Sequence, residues 1–176
     1  MGDGCRLGRS AYYGKGRYPI GLPIDRQAGS DRMDAVDRRL LAELQQDARL
    51  SFNELSRRVN LSSPAVAERV RRLEAAGVLT GYHAQVDLVR AGRPVSALVQ
   101  VQCYGPRCVL RDPAVADWPE VLQLHRVTGG ACCVLIVAVA SMADFESLID
   151  RLAEYGQPSS TMILSSPVQW RPVEPA

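Results

Sequence analysis

A chain of 176 residues with 47% hydrophobic content can bury one medium core or two small ones, which excludes general disorder. Its longest wholly apolar stretch, Ala131 to Ala140, is far shorter than the roughly 20 residues of a membrane-spanning helix, so no membrane partner is expected. The net charge of +2 hides an asymmetry. Residues 1–32 hold six of the 21 basic groups and three of the 19 acidic ones, which leaves 15 basic against 16 acidic from Met33 onward. Affinity of the body of the chain for a polyanion must therefore come from local clustering.

Residues 1–32 are rich in Gly, contain Pro19 and Pro23, show no periodicity and carry the only lysine, Lys15. They read as a disordered leader. The leader lacks the continuous apolar core of a secretory signal, which points to the cytoplasm. Because Met33 directly precedes a good helix start, the leader is expected not to be native. The alternative is a basic arm that adds sequence-independent phosphate contacts.

Three short helices are predicted over residues 33–81. Asp34 is an N-cap with Asp37 at the third helical position, and Val36, Leu40, Leu41 and Leu44 make one stripe ending near Asp47. Ser51 and Glu54 form an S-x-x-E capping box, and Phe52, Leu55 and Val59 follow at helical spacing. After the turn Asn60, Leu61, Ser62, the pair Ser63 and Pro64 reads as an N-cap followed by proline at the first helical position. The third helix has the stripe Val66, Val70, Leu73 and closes at Gly77. Val78 to Asp87 alternates loosely and reads as a strand or ribbon. Residues 82–94 are expected to link this unit to the next, with Gly92 inside Arg90 to Pro94.

A second pattern fills residues 95–170. Val95 to Cys103, Val121 to Val127, Cys132 to Ala140 and Thr161 to Ser165 read as strands. Met142 to Tyr155 places Phe145, Leu148, Ile149, Leu152 and Tyr155 on one helical face. A first helix belongs between Pro106 and Trp118, where Pro113 restricts it to short pieces. The order is βαββαβ, the ferredoxin-like arrangement, followed by a tail at 171–176. The fold class is thus α+β, a helix-turn-helix followed by a ferredoxin-like domain.

Two short helices joined by a tight turn, the second capped and basic, are the geometry that lets one helix enter a major groove while the other crosses the backbone. With Val66, Val70 and Leu73 facing inward, Ala65, Glu68, Arg69 and Arg72 are expected on the opposite side, near base edges and phosphates. Arg57 and Arg58 add phosphate contacts, and Ser62, Ser63 and Pro64 start the helix. The competing reading makes Arg69, Arg71 and Arg72 a solvated face partnered by Glu68 and Glu74. The order of capping box, short turn, Ser63-Pro64 and Gly77 favours DNA binding.

The five cysteines form no CxxC pair, and His83 and His125 lie in separate segments, so no metal site is expected. The vicinal Cys132-Cys133, with Cys103 and Cys108, invites a redox reading. In alternating strands without charged neighbours, cysteine is more simply a small buried hydrophobe. His125, with Gln123 and Arg126 nearby, lines a ligand cleft, faces a neighbouring subunit, or takes a packing part. No catalytic triad order, phosphate-binding glycine loop or carboxylate pair stands out, and no enzyme activity or cofactor is expected.

The run LLAELQQDARLSFNELSRRVNLSSPAVAERVRRLEAAGVLTGYHAQVD, Leu40 to Asp87, and the V-T-G run at Val127, Thr128 and Gly129 between two strands closely resemble the Lrp/AsnC family of feast/famine regulators. The resemblance spans about residues 33–170. It implies a winged helix-turn-helix whose recognition helix, Ser63 to Ala76, reads an imperfect palindrome in double-stranded DNA. It also implies a ferredoxin-like domain that builds homodimers, tetramers or octamers and binds an amino-acid effector. Its effector loop falls on Thr128, Gly129 and Gly130, with Ala131 and Cys132 behind it and His125 on the preceding strand. Where members of the family typically carry acidic residues after this run, the sequence has Gly130 and Cys132. Two rival readings are a small-molecule-binding metabolic protein and an architectural DNA-binding protein with little sequence preference.

Overall fold

The computed structural model describes residues 33–174, so the leader lies outside the described residues. The described chain divides into two compact units, residues 33–85 with 168–174, and residues 86–167.

The first unit is built from α1 (Ala35–Gln46), α2 (Phe52–Val59) and α3 (Ser63–Ala75). Asp34 caps α1 in a full capping box with Asp37, and Ser51 caps α2 in another with Glu54. Both satisfy backbone N–H groups that a helix start leaves without partners. Leu40, Leu44, Leu55, Val59, Val66 and Val70 form one buried cluster, so the three stripes read in the sequence meet face to face except at Phe52, which at the first position of α2 is 45% exposed. Asn60 closes α2 in the left-handed conformation (φ 55°), and the Leu61 N–H returns to the Ser56 carbonyl at 3.1 Å. The turn into α3 therefore needs only three residues.

The cap of α3 lies one residue earlier than expected: Ser62 is the N-cap, its hydroxyl accepting from the Ala65 N–H. Ser63 is the first helical residue and Pro64 the second, a first-turn position where a missing N–H costs nothing. Gly77, at φ 66°, ends the helix with bonds from the Val78 N–H to the Leu73 carbonyl and from its own N–H to that of Glu74. This is the double return of a left-handed C-terminal cap.

The strand expected over Val78 to Asp87 does not form: the residues after the Gly77 turn take no regular structure and are almost all exposed. A ladder needs a partner edge for its N–H and C=O groups, and none lies beside this segment among the described residues. Among the described residues, no strand forms the wing that the resemblance implies. Residues 168–174 return to the helical unit, where the Gln45 side-chain amide exchanges two hydrogen bonds with the Val173 backbone (2.9 and 2.7 Å).

The second unit carries β1 (Val95–Cys103), β2 (Val121–Arg126), β3 (Cys133–Val139), α4 (Met142–Ala153) and β4 (Gly156–Met162). The sheet order is β2-β3-β1-β4 with every neighbouring pair antiparallel, the ferredoxin-like order. Two 3-10 turns, Val109–Arg111 and Pro113–Asp117, stand where the first helix belongs, and their buried Val109 and Val115 supply its core contribution.

The last strand was expected at Thr161 to Ser165 but runs from Gly156. Its Gly, Pro and Ser residues resemble a turn in composition, yet an edge strand tolerates Pro158 because only one of its sides must be hydrogen-bonded. Gly156 is required where β4 crosses β1. A Cβ there would lie 2.1 Å from the Gln102 carbonyl oxygen and 2.7 Å from the Cys103 Cα.

Alternation along β1 buries Ala97, Val99 and Val101 against Leu135 and Val137 of β3 and Phe145, Leu148 and Leu152 of α4. The register aligns Leu98 with Ile136 and Gln123, and Gln100 with Val134 and His125, on the opposite face. That face is half-buried to exposed, with the apolar Leu98, Val134 and Ile136 set among Gln100, Gln123, His125, Ser159 and Thr161.

Candidate nucleic-acid interface and effector loop

The start of α3 is pinned to α2. The Ser63 hydroxyl donates to the Asn53 side-chain carbonyl at 2.5 Å, and the Ser56 hydroxyl to the Asn53 backbone carbonyl at 2.8 Å. Ser63 is thereby spent inside the unit, whereas Ser62 and Pro64 are exposed and Ala65 is half-buried.

The arginines divide differently from the expectation. Arg69 does not face away from the core. It lies on the flank of the buried stripe, donating to Asp34 Oδ2 at 2.6 Å and Asp37 Oδ1 at 2.8 Å. The physical reason is angular: at about 100° per residue, position 69 is only about 60° from the inward direction of Val66, while 68 and 71 point outward. Arg72 donates to Asp37 Oδ2 at 2.7 Å yet keeps 45% of its side chain exposed. Asp37 itself is 1% exposed, a buried carboxylate held by two guanidinium groups and the Asp34 N–H.

The proton equilibria of Asp34 and Arg69 follow this pairing. The Asp37 backbone N–H and then the Arg69 guanidinium hold the Asp34 carboxyl below its ordinary range. Hydrogen bonds to Asp37 and Asp34 raise Arg69.

Arg71, absent from the expected DNA contacts and placed with Arg69 and Arg72 on a solvated face by the competing reading, is 68% exposed beside Glu68, 3.0 Å away. A helical wheel centred on Val66 marks it as outward-facing. On α2, Arg58 donates to Glu43 Oε2 at 2.6 Å, which raises its pKa and ties α2 to α1. Arg57 is exposed. The outward surface thus carries Ser62, Pro64, Glu68, Arg71 and part of Arg72, with Arg57 on the neighbouring helix.

In the second unit, Thr128, Gly129 and Gly130 form an exposed bend between β2 and β3, with Gly129 at φ 108°. The Val127 N–H reaches the Cys132 carbonyl at 3.3 Å across its neck. Ala131 and Cys132 are half-buried behind it, and His125 Nε2 lies 2.8 Å from Gln123 Oε1. A cleft of about 440 Å³ lies elsewhere, lined by Pro106, Arg107, Cys108, Arg111, Asp112, Pro113, Glu154 and Tyr155; none of the expected effector residues borders it. There the Tyr155 hydroxyl donates to Asp112 Oδ2 at 2.7 Å, which lowers Asp112 and, together with burial, pushes Tyr155 up to about 12.

Both halves match known family models. Residues 33–74 match the AsnC-type helix-turn-helix domain and residues 96–173 the Lrp/AsnC ligand-binding domain. Bacillus subtilis LrpC, an HTH-type transcriptional regulator, is 32% identical over 76% of this chain and 93% of its own. The chain belongs to the Lrp/AsnC family. Its members are transcriptional regulators, and the chain is a DNA-binding regulator with a ligand-binding domain rather than an enzyme.

The solved structure of B. subtilis LrpC superposes with a TM-score of 0.74, covering 79% of this chain and 99% of that one. The leucine response regulatory protein LrpA of Mycobacterium tuberculosis gives 0.72 at 35% identity, covering 81% of this chain and 100% of that one. A transcriptional regulator from Neisseria meningitidis, solved as a complex with L-Met, gives 0.73 at 27% identity, over 80% and 96% of the two chains. No helix among the described residues is long and apolar enough to cross a membrane.

Proposed function

We propose that this regulator reads an imperfect palindrome by laying the outward face of α3 into the major groove, in the cytoplasm and on its own promoter DNA. Ser62, Pro64, Ala65, Glu68, Arg71 and Arg72 meet bases and phosphates, with Arg57 on the flanking backbone. Ser63, Arg58 and Arg69 hold the reading helix in place instead of touching DNA. The observation that carries this reading is the double fixation of α3, by Ser63 on Asn53 and by Arg69 and Arg72 on Asp37. Such fixation leaves one charged face preorganised for the groove.

The chain self-associates through the open face of the sheet, where Leu98, Val134 and Ile136 lie between His125, Gln123 and Gln100. A two-fold pair of reading helices then matches a two-fold DNA site. An amino-acid effector binds at a subunit interface formed by the Thr128–Gly130 bend, Ala131, Cys132 and His125. Its carboxylate is taken by backbone N–H groups of the glycine bend, in line with the exposure of that loop in the single chain and the L-Met complex of the Neisseria relative. Binding shifts the oligomer and hence the separation of the reading helices.

Fluorescence anisotropy of the full chain against duplexes from its own promoter region, with and without each common amino acid, tests this. The expected result is specific binding that weakens steeply with salt and is altered by one or a few amino acids. Equal affinity for promoter and scrambled duplexes would overturn the sequence-reading part. Indifference to every amino acid would overturn the effector part.

A further inference from the structure

Four cysteines lie in the described residues as free thiols, and the fold gathers three of them. Cys103 ends β1, Cys108 begins the first 3-10 turn, and Cys132 precedes β3. The Cys132 N–H donates to the Val101 carbonyl at 2.9 Å, which draws the start of β3 alongside the end of β1. The three Sγ atoms all lie within 4.8 Å of one another, with Cys103 and Cys108 at 3.1 Å.

Packing accounts for Cys133, which is 0% exposed in the sheet core with its thiol hydrogen-bonded to Cys103 and outside the group of three. It does not account for three sulfurs from three separate segments converging at the end of the sheet, two of them only half-buried. Cys108 also lines the open cleft beside Arg107 and Arg111, which gives an ion a route in from solvent.

We propose that Cys103, Cys108 and Cys132 form a three-sulfur site for a soft d10 metal ion, monovalent copper above others. Thiolate sulfur selects soft ions, and among the described residues no histidine or carboxylate joins the cluster. Zinc completes four ligands, commonly with nitrogen or oxygen; a trigonal ion is satisfied by three sulfurs. With metal–sulfur bonds of about 2.3 Å, three sulfurs around one ion stand ~4 Å apart. The Cys103–Cys108 pair, at 3.1 Å, therefore opens by under about 1 Å, and the other two separations are no more than 4.8 Å. Each thiol that binds releases its proton to solvent while sulfur and metal keep their oxidation states. The nearby Arg107 and Arg111 offset the negative charge that remains.

The test is anaerobic titration of the full, reduced chain with Cu(I) supplied as its bathocuproine disulfonate complex, followed at the chelator's absorbance. One Cu(I) per chain is expected to leave the chelator. Cys108→Ser and Cys132→Ser should each weaken uptake by more than the roughly 10–100-fold that loss of an outer-shell partner costs, with an unchanged circular dichroism spectrum, while Cys5→Ser has no effect. X-ray absorption of the loaded wild type, which does not depend on any variant folding, should give three sulfurs at about 2.3 Å. No withdrawal from the chelator overturns the proposal. So does uptake that survives both substitutions, or a shell of four sulfurs or of mixed nitrogen and oxygen.

Discussion

Removing the Asp37 carboxylate tests whether charge pairing fixes the reading helix. In Asp37→Ala, three hydrogen bonds vanish at once: those from Arg69 (2.8 Å), Arg72 (2.7 Å) and the Asp34 N–H (3.2 Å). Breaking a buried pair by deleting one partner costs ~3–5 kcal/mol when the surviving charge is left buried. Here the surviving guanidinium groups are 27% and 45% exposed, and Arg69 retains Asp34, so water relieves part of that cost. A loss of about 2–3 kcal/mol remains, which for a domain of this size lowers the melting midpoint by roughly 8–24 °C.

Because α1, α2 and α3 supply most of the helix, circular dichroism at 222 nm through a urea or thermal transition reports on this unit. Asp37→Asn keeps the shape and one acceptor and should lose less. The control is Arg71→Ala on the exposed side of the same helix, expected within about 0.5 kcal/mol of wild type. An Asp37→Ala midpoint equal to that control would refute the reasoning.

Arg71→Ala should weaken promoter binding with an unchanged unfolding midpoint, whereas Arg69→Ala should lose both affinity and stability; anisotropy and melting of the same samples separate them. Hydrogen bonds hold Asp34, Glu54 and Asp112 below the ordinary carboxylate range. A depressed carboxylate stabilises the fold above its unfolded pKa and ceases to as pH falls through the folded value, so stability should decline below about pH 4. A melting midpoint that rises from pH 5 to pH 3 would contradict this. Gly156→Ala drives a methyl into the Gln102 carbonyl and should cost at least ~1–3 kcal/mol as β4 shifts from β1; wild-type hydrogen-exchange protection along β4 would show that the backbone yields. Leu98→Arg on the open sheet face should lower the sedimentation mass toward that of one chain, and an unchanged mass would remove that face as the interface.

What could be read in the sequence was whatever rests on local chemistry. Both capping boxes, the Gly77 terminus and the stripes of Leu40, Leu55 and Val66 follow from neighbours within four residues, and the ferredoxin-like order follows from alternation. The failures lie where a partner distant in sequence decides. Arg69 was expected on the outward side because its ion pairs are with residues more than thirty positions away. The last strand was expected to begin only at Thr161, because pairing with β1 is what makes 156–160 a strand. The stretch after Gly77 alternates like a strand but has no edge to join among the described residues. Likewise Cys103, Cys108 and Cys132 form no CxxC pair, and Cys132 joins the other two only after β1 and β3 pair in the sheet.

The division of the arginines changes how DNA affinity should respond to salt. A side chain that contacts phosphate displaces condensed counterions, so its loss flattens the plot of log K against log salt by about 0.9 per contact. A side chain that positions the helix lowers affinity at every salt concentration without altering that slope. If the proposed groove contacts hold, Arg71 and Arg57 are of the first kind and should flatten the plot. Arg69 and Arg58, committed to Asp34, Asp37 and Glu43, belong to the second and should shift it in parallel. High salt also screens the partly exposed Asp34–Arg69 pair, so the comparison holds only where both variants remain folded, which the melting curves establish in the same buffers. A flattened slope for Arg69→Ala under those conditions would return Arg69 to the DNA surface and make its bond to Asp34 a resting state of the free protein.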